Sequence, residues 1–248
     1  MCLSIMEENS NCDPETGVCT PASLSAPVNE QQPLQKDIEL IYIGDPMCSW
    51  CWGISPALKQ LKDRYRPDGI GFKIVVGGLR PGGGDPWDNN MKDFLKHHWQ
   101  EVTARSGQPF GYSLFDRESF NYDTEPPCRA AVAARPLVGE RELEFFTAIK
   151  KKFYVDSEDP GEEVFYQSIC KDFDVDYEAF LTRFRSDEVK KATHNEFVLN
   201  RNWGVKGYPC LVLRKGQDLL SIANGFATFE QMTDQVDRLL SMDPATQG

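Results

Sequence analysis

The first ordered pattern in the chain is a short apolar run. Residues 38–43 (Ile-Glu-Leu-Ile-Tyr-Ile) predict a β-strand, and from residue 50 to residue 65 apolar side chains recur at helical spacing. Residues 72–76 predict a second strand, which two glycines close. Strand, helix and strand joined by short links indicate a βαβ unit with parallel strands.

A long block with helical periodicity follows this unit. From about residue 87 to residue 203 the pattern is helical almost throughout, and it is interrupted at prolines and glycines. The two consecutive prolines Pro126 and Pro127, and Pro136, are among the predicted breaks. The predicted helices lie at 87–105, 127–137, 140–156, 161–172, 176–184 and 187–202.

Strand character returns near the C-terminal end. Residues 210–213 and 219–223 predict a β-hairpin, and Thr228 is placed to cap a last helix. The order of βαβ unit, helical block, hairpin and helix predicts an α/β fold in which an all-helical domain is inserted into a sheet domain. The predicted division is a flexible, polar, cysteine-containing tail at 1–36, a sheet domain at 37–84 and 204–242, and a helical insertion at 85–203.

Composition narrows the class of partner. The 248 residues are 40% hydrophobic and 26% charged, and the net charge of −11 argues against nucleic acid or an anionic membrane surface as a partner. No apolar run approaches the roughly 18 residues of a membrane helix. The first residues lack the cationic start and long apolar stretch of a secretory signal, so we expect a cytoplasmic location.

Eight cysteines are more than packing in a reducing compartment requires. Two of them form the motif Cys-Ser-Trp-Cys at positions 48–51, directly after the first strand and at the start of the helix. Two cysteines at this spacing can close a disulfide. Unpaired backbone N–H groups and the helix dipole favour a thiolate there, so we expect the pKa of Cys48 to be lowered, with Cys48 attacking and Cys51 resolving.

The same spacing suits one half of a tetrahedral zinc site. Such a site needs two further ligands, and the chain has neither a second Cys-x-x-Cys motif nor a histidine cluster. In this alternative, a zinc-binding interaction module, the ligands would come from Cys12 with Cys19 or from Cys128 with Cys210. The strand–motif–helix context favours redox chemistry instead, and we expect no metal.

A second motif precedes the hairpin. Pro209 stands at the first position of the predicted strand, where a proline can begin a strand without donating to the ladder. A cis Tyr208–Pro209 bond would turn the backbone before the strand outward, toward a binding partner. The alternative is an ordinary loop proline.

Together these features resemble the DsbA family of thioredoxin-like proteins, over roughly residues 38–242. The run from Gly44 to Gly53 is similar to the cytoplasmic, FrnE-like branch, often described as predicted protein-disulfide isomerases. The resemblance implies that Cys48 is the nucleophile, Cys51 the resolving thiol and Pro209 a cis-proline beside them. It also implies that Tyr208 offers backbone hydrogen bonds to a substrate strand.

The implied function is that of a thiol–disulfide oxidoreductase, a disulfide reductase or isomerase acting on protein or small-molecule disulfides and thiols. No cofactor is expected, and glutathione is the candidate co-substrate. The alternative on the same fold is glutathione-dependent chemistry, as in kappa-class transferases and 2-hydroxychromene-2-carboxylate isomerases. Those enzymes keep a single Ser or Cys where Cys48 stands, so the complete motif weighs against this alternative.

Further candidates follow from position. Related helical domains begin a helix facing the active site near Cys128 and Arg129, so Arg129 could favour a thiolate and Cys128 could exchange. Alternatively they are a buried small residue and a solvated arginine. Cys12 and Cys19 in the tail are either an auxiliary redox pair or incidental. The predicted substrate-binding residues are Trp50, Tyr208, Cys128 and Arg129.

Overall fold

The four strands form one mixed sheet. A computed structural model describes residues 38–242. The sheet contains β1 (Ile38–Gly44), β2 (Gly71–Val76), β3 (Cys210–Lys215) and β4 (Asp218–Asn224), in the order β2-β1-β3-β4. β1 pairs parallel with β2 and antiparallel with β3, which pairs antiparallel with β4. The predicted α/β fold with a parallel βαβ unit and a β-hairpin is confirmed.

The predicted helix between β1 and β2 is split into two. α1 (Ser49–Gly53) and α2 (Ser55–Tyr65) are separated by Ile54, which caps both helices. Pro56 lies in the first turn of α2. The proline ring would clash with the carbonyl of the residue four positions earlier in a continuous helix. That carbonyl, of Trp52, instead accepts a hydrogen bond from Gln108 Nε2 at 3.1 Å. The motif therefore sits on a short helix of its own.

Six helices occupy the stretch between β2 and β3, as the periodicity predicted. The prolines at 126 and 127 do not precede α4 but form its first turn, where a missing N–H costs nothing, and Pro136 lies within its last turn. α5 is shorter than predicted at both ends, and α6 begins four residues later. The bounds are α3 (Asn89–Ser106), α4 (Glu125–Val138), α5 (Glu142–Tyr154), α6 (Phe165–Asp172), α7 (Tyr177–Arg185) and α8 (Asp187–Asn202).

The last helix, α9 (Phe229–Ser241), begins where the sequence predicted. Thr228 accepts a hydrogen bond from the Gln231 backbone N–H, and the Gln231 side chain accepts from the Thr228 backbone N–H. This reciprocal pair satisfies two N–H groups that a helix start leaves free. Within residues 38–242, none of the helices combines the length and apolarity that crossing a bilayer requires.

The core joins the sheet to the helices between β2 and β3. One continuous apolar cluster contains Tyr42 of β1, Cys51 of α1, Trp99 of α3 and Phe146 of α5. A smaller cluster, which includes Ile41 and Cys210, covers the other face of the sheet, because successive strand residues point to opposite faces. α5 packs directly against α1 and so lies beneath the cysteine motif. The division of the chain into two domains stays a prediction.

Candidate active site

The two motif cysteines lie at the start of α1. Cys48 is the residue before the first helical turn, with an extended backbone (φ −93°, ψ 117°), and Cys51 lies within the helix. Both side chains are free thiols. Cys48 retains 6% of its surface exposed, whereas Cys51 is completely buried. Cys48 is therefore the sulfur that a substrate reaches first.

The loop before β3 lies against Cys48. The Tyr208–Pro209 peptide bond is cis. The Cys48 thiol donates a hydrogen bond to the Tyr208 carbonyl oxygen at 3.4 Å, and the Tyr208 hydroxyl donates to the Gly77 carbonyl at 2.6 Å. The structure thus brings Cys48 next to Tyr208 and Pro209, which lie about 160 positions later in the sequence.

A buried carboxylate holds the loop in front of α1. Asp45 is completely buried and accepts hydrogen bonds from the backbone N–H groups of Met47, at 2.8 Å, and Leu79, at 2.7 Å. Burial raises its pKa, although these hydrogen bonds act in the opposite direction. Asp45 was not predicted as a site residue. Its position between a strand and the motif could have indicated it, but an Asp-Pro pair is also typical of an ordinary turn.

A buried lysine lies beneath α1. Lys150 of α5 is completely buried, and its Nζ donates to the Cys51 carbonyl oxygen at 3.0 Å and to Ser55 Oγ at 2.6 Å. Burial lowers the pKa of Lys150 to about 8. Lys150 was not predicted as a site residue, because it belongs to a run of three lysines that is typical of a solvated helix end. Its spacing of four residues from Phe146, on the buried face, was the only signal.

The two thiols are coupled through the hydrogen bond between them. A hydrogen bond to Cys51 and burial raise the pKa of Cys48. Burial opposes ionisation of Cys51, but hydrogen bonds from Cys48 and Tyr42 and the charge of Lys150 outweigh it, so the pKa of Cys51 is lowered. The direction at Cys48 is therefore opposite to the lowered pKa expected from the sequence, because the Cys51 hydrogen bond and burial both oppose ionisation of Cys48. The two thiols titrate as a pair.

Comparison with known proteins identifies the family. A family model described as thioredoxin matches residues 41–219. The chain belongs to the thioredoxin family. It is also similar to the crystal structure of a protein from Nitrosomonas europaea that is described as a candidate protein disulfide isomerase. That match has 33% identity and a TM-score of 0.77, and it covers 86% of this chain and 100% of the other.

The chain is also similar, more distantly, to one solved structure and to one further protein sequence. The cytosolic disulfide reductase DsbM from Pseudomonas aeruginosa, solved with GSH, has 21% identity and a TM-score of 0.68, covering 82% of this chain and 100% of that one. The ClpXP adapter protein SpxH of Shouchella clausii is 25% identical over 82% of this chain, which spans 65% of that relative's length. The DsbA-like resemblance is confirmed.

The predicted pair after the double proline takes two different places in this thioredoxin-family protein. Cys128 is completely buried, and its thiol lies 3.5 Å from Asp45 Oδ2. Burial raises the pKa of Cys128 well above its ordinary value. Arg129 pairs with Glu125 at 2.9 Å and lies over the Phe184 ring at 4.1 Å. The structure therefore brings Cys128 to Asp45, in the loop before the motif. The Arg129 side chain instead contacts Glu125 of α4 and Phe184 of α7.

The other predicted residues divide by burial. Trp50 is half-buried and packs against Phe226, with ring centroids 5.8 Å apart. Cys170 and Cys210 are both buried, and the Cys210 thiol donates to Asn224 Oδ1 at 3.1 Å.

The tail pair and the zinc alternative rest on different parts of the chain. Cys12 and Cys19 lie outside the described residues, so their auxiliary redox role stays a prediction. Within residues 38–242, no group of three or more His, Cys, Asp or Glu side chains could hold a metal ion. The version of the zinc site that uses Cys128 and Cys210 therefore has no support in the structure.

Proposed function

We propose that this chain is a thiol–disulfide oxidoreductase that exchanges its Cys48–Cys51 pair with disulfide and thiol substrates. The observation that carries the proposal is the position of the Cys48 sulfur. Cys48 stands at the start of α1, and its sulfur lies 3.4 Å from the carbonyl oxygen of Tyr208, the residue before the cis-proline. A substrate chain lying along that loop would present its disulfide to Cys48. Membership of the thioredoxin family supports the same chemistry.

The attacking anion forms when the Cys48–Cys51 pair loses one of its two protons. Transfer of the proton across the Cys48–Cys51 hydrogen bond leaves the charge on Cys48, the more exposed sulfur. That thiolate attacks a substrate disulfide, one substrate sulfur leaves as a thiolate, and a mixed disulfide forms beside Pro209. Cys51 then gives its proton to the first substrate thiolate and attacks the Cys48 sulfur, which releases the second substrate sulfur as a thiolate and leaves the enzyme pair oxidised.

Reduction or isomerisation is the proposed net direction, and the proposed location is the cytoplasm, where the glutathione poise is reducing. Glutathione is the proposed co-substrate that regenerates the dithiol. The similarity to a cytosolic disulfide reductase solved with GSH supports testing it first. Trp50 and Tyr208 flank Cys48 and are the proposed contacts for a bound substrate.

Insulin-disulfide reduction with glutathione tests the proposal. Cys48→Ala should reduce turnover to the uncatalysed rate, and Cys51→Ala should accumulate a mixed disulfide with glutathione, visible by mass spectrometry. Cys170→Ala, which removes a buried thiol outside the site, is the matched control and should retain turnover. Full turnover by Cys48→Ala would refute the assignment.

Two further variants separate the remaining alternatives. Glutathione conjugation of an electrophile by Cys51→Ala, with no disulfide reduction by the wild type, would favour the transferase alternative. Replacing Cys12 and Cys19 together by serine tests the tail pair. We expect a slower regeneration of the Cys48–Cys51 dithiol if the tail pair passes electrons to it, and an unchanged rate if it does not.

A further inference from the structure

Lys150 is a charge-bearing side chain in a place where an apolar one would pack. It lies on α5, has no exposed surface, and sits 4.9 Å above the Phe146 ring centroid and 5.8 Å from that of Tyr42. Its polar contacts are the Cys51 carbonyl oxygen and the Ser55 hydroxyl, both uncharged. Burying an ammonium group without an anionic partner costs several kcal/mol, so an unpaired charge here needs an explanation.

The group that faces Lys150 is Cys51, whose carbonyl oxygen accepts from Lys150 Nζ at 3.0 Å and whose thiol belongs to the redox pair. Among the described residues, the charges that favour the protonated form of Lys150 are those of Cys51 and Cys48. Reciprocally, the charge of Lys150 favours the thiolate of Cys51. The carboxylate of Asp45 acts on the pair with the opposite sign.

The remaining groups around the pair are neutral. The Tyr42 hydroxyl of β1 finds no nitrogen or oxygen partner in the described part of the chain and lies against the Cys51 sulfur. Tyr122 donates its hydroxyl hydrogen to the Met47 carbonyl at 2.7 Å, and Tyr154 of α5 lies behind it. Among the described residues, Lys150 is therefore the cation that the fold places against Cys51.

We propose that Lys150 is a positioning residue that fixes one negative charge on the Cys48–Cys51 pair and thereby sets its reduction potential. The inference rests on the proposed function, because it concerns the same two sulfurs. It goes beyond that function in assigning their ionisation to a side chain of the helical insertion. The helix dipole of five-residue α1 is not required to supply it.

The consequence for the redox step follows from the charge balance. When a donor dithiol reduces the enzyme, the Cys48–Cys51 bond breaks and its sulfurs receive two electrons, while the donor's two thiols become a disulfide. Of the donor's two protons, one stays on an enzyme sulfur and the other is released to solvent, so the second enzyme sulfur is anionic beside the Lys150 ammonium group. Stabilising this anion stabilises the reduced form, which makes the pair more oxidising.

Ser55 lies between Lys150 and a cavity. The Ser55 hydroxyl accepts from Lys150 and also lines a cavity of about 240 Å³, together with Trp52, Gln108 and Thr147. Exposed Lys59 is part of the same wall, so the cavity reaches the surface.

Three variants of the full chain separate charge from packing. Lys150→Gln keeps an N–H donor for the Cys51 carbonyl but removes the charge, and Lys150→Met removes both. Lys151→Gln removes the same charge from the neighbouring, exposed position and is the matched control. The measurements are the pH titration of thiolate ultraviolet absorbance and the thiol–disulfide equilibrium with glutathione.

We expect both Lys150 variants to raise the apparent thiol pKa by about one unit, a tenfold loss of thiolate. The equilibrium should shift about tenfold toward the enzyme disulfide, which corresponds to about 30 mV in reduction potential. Lys151→Gln should match the wild type. A Lys150→Gln titration that coincides with the wild type would overturn the proposal, as would a shift in Lys150→Met alone, because that would indicate hydrogen bonding or packing.

A measurement on the wild type keeps the test independent of how the variants fold. In ¹³C NMR of the lysine Cε atoms, one signal should titrate at lower pH in the oxidised protein than in the reduced one, since oxidation removes the thiolate. Identical titrations of all lysines in both states would overturn the inference. Failure of Cys48 and Cys51 to form a disulfide would instead overturn the proposed function.

Discussion

A single methyl group at position 77 tests whether the contact behind the cis-proline loop matters. Gly77 follows β2, and a Cβ atom there would lie 2.8 Å from Cζ and 2.9 Å from Cε1 of the Tyr208 ring. Ordinary contact begins at 3.4 Å, so in Gly77→Ala the ring must retreat by about 0.6 Å. The ring also carries the hydroxyl that donates to the Gly77 carbonyl oxygen at 2.6 Å.

The magnitude follows from these two effects. Inserting a methyl group into a packed contact costs about 1–3 kcal/mol, and losing one hydrogen bond costs about 0.5–1.5 kcal/mol. The half-buried Tyr208 ring can relieve the steric contact by swinging partly into solvent, and it then loses the hydrogen bond. The two costs are therefore not added together. We expect the free energy of unfolding to fall by about 1–3 kcal/mol. We also expect faster alkylation of Cys48, since the Tyr208 carbonyl no longer covers its sulfur.

Urea unfolding followed by tryptophan fluorescence measures the first effect, and iodoacetamide labelling of the reduced protein measures the second. Gly207→Ala is the matched control, because a Cβ atom there meets nothing within 4 Å. Tyr208→Leu in the Gly77→Ala background should recover part of the loss, which gives a coupling energy for the pair. Equal stability and equal labelling rates for Gly77→Ala and Gly207→Ala would refute the reasoning.

Two further predictions concern buried charges. The folded-state pKa of Asp45 is raised above the unfolded value of about 3.9, so wild-type stability falls as the pH rises through the interval between them. Asp45→Asn should lack this fall, and a wild-type-to-variant difference in unfolding free energy that stays constant from about pH 4 to about pH 7 would contradict it. Arg135→Met strands the carboxylates of Glu142 and Glu196, each within 2.7 Å of the guanidinium, and should cost about 2–3 kcal/mol in urea unfolding. The exposed control Arg64→Met should cost less than about 1 kcal/mol, and equal losses would contradict the assignment.

Local pattern predicted much of the fold because each signal acts over a few residues. The apolar run at 38–43, the helical spacing after residue 50 and the capping Thr228 each report on their own neighbourhood. The motif Cys48–Cys51 needed no more than its place between a strand and a helix. One error in the predicted helices also had a local cause. Prolines 126 and 127 read as a break, although the first turn of a helix accepts them.

The sequence by itself determined which sulfurs are three positions apart at a helix start and which proline precedes a strand. Only the tertiary structure decided how those sulfurs are charged, because the deciding groups come from distant elements. Asp45 gained its role by accepting from Leu79, and Lys150 by packing under α1 from a helix about 100 residues away. Burial and electrostatic attraction depend on distance in space, and a lysine in a run of lysines shows its buried position only after the chain has folded.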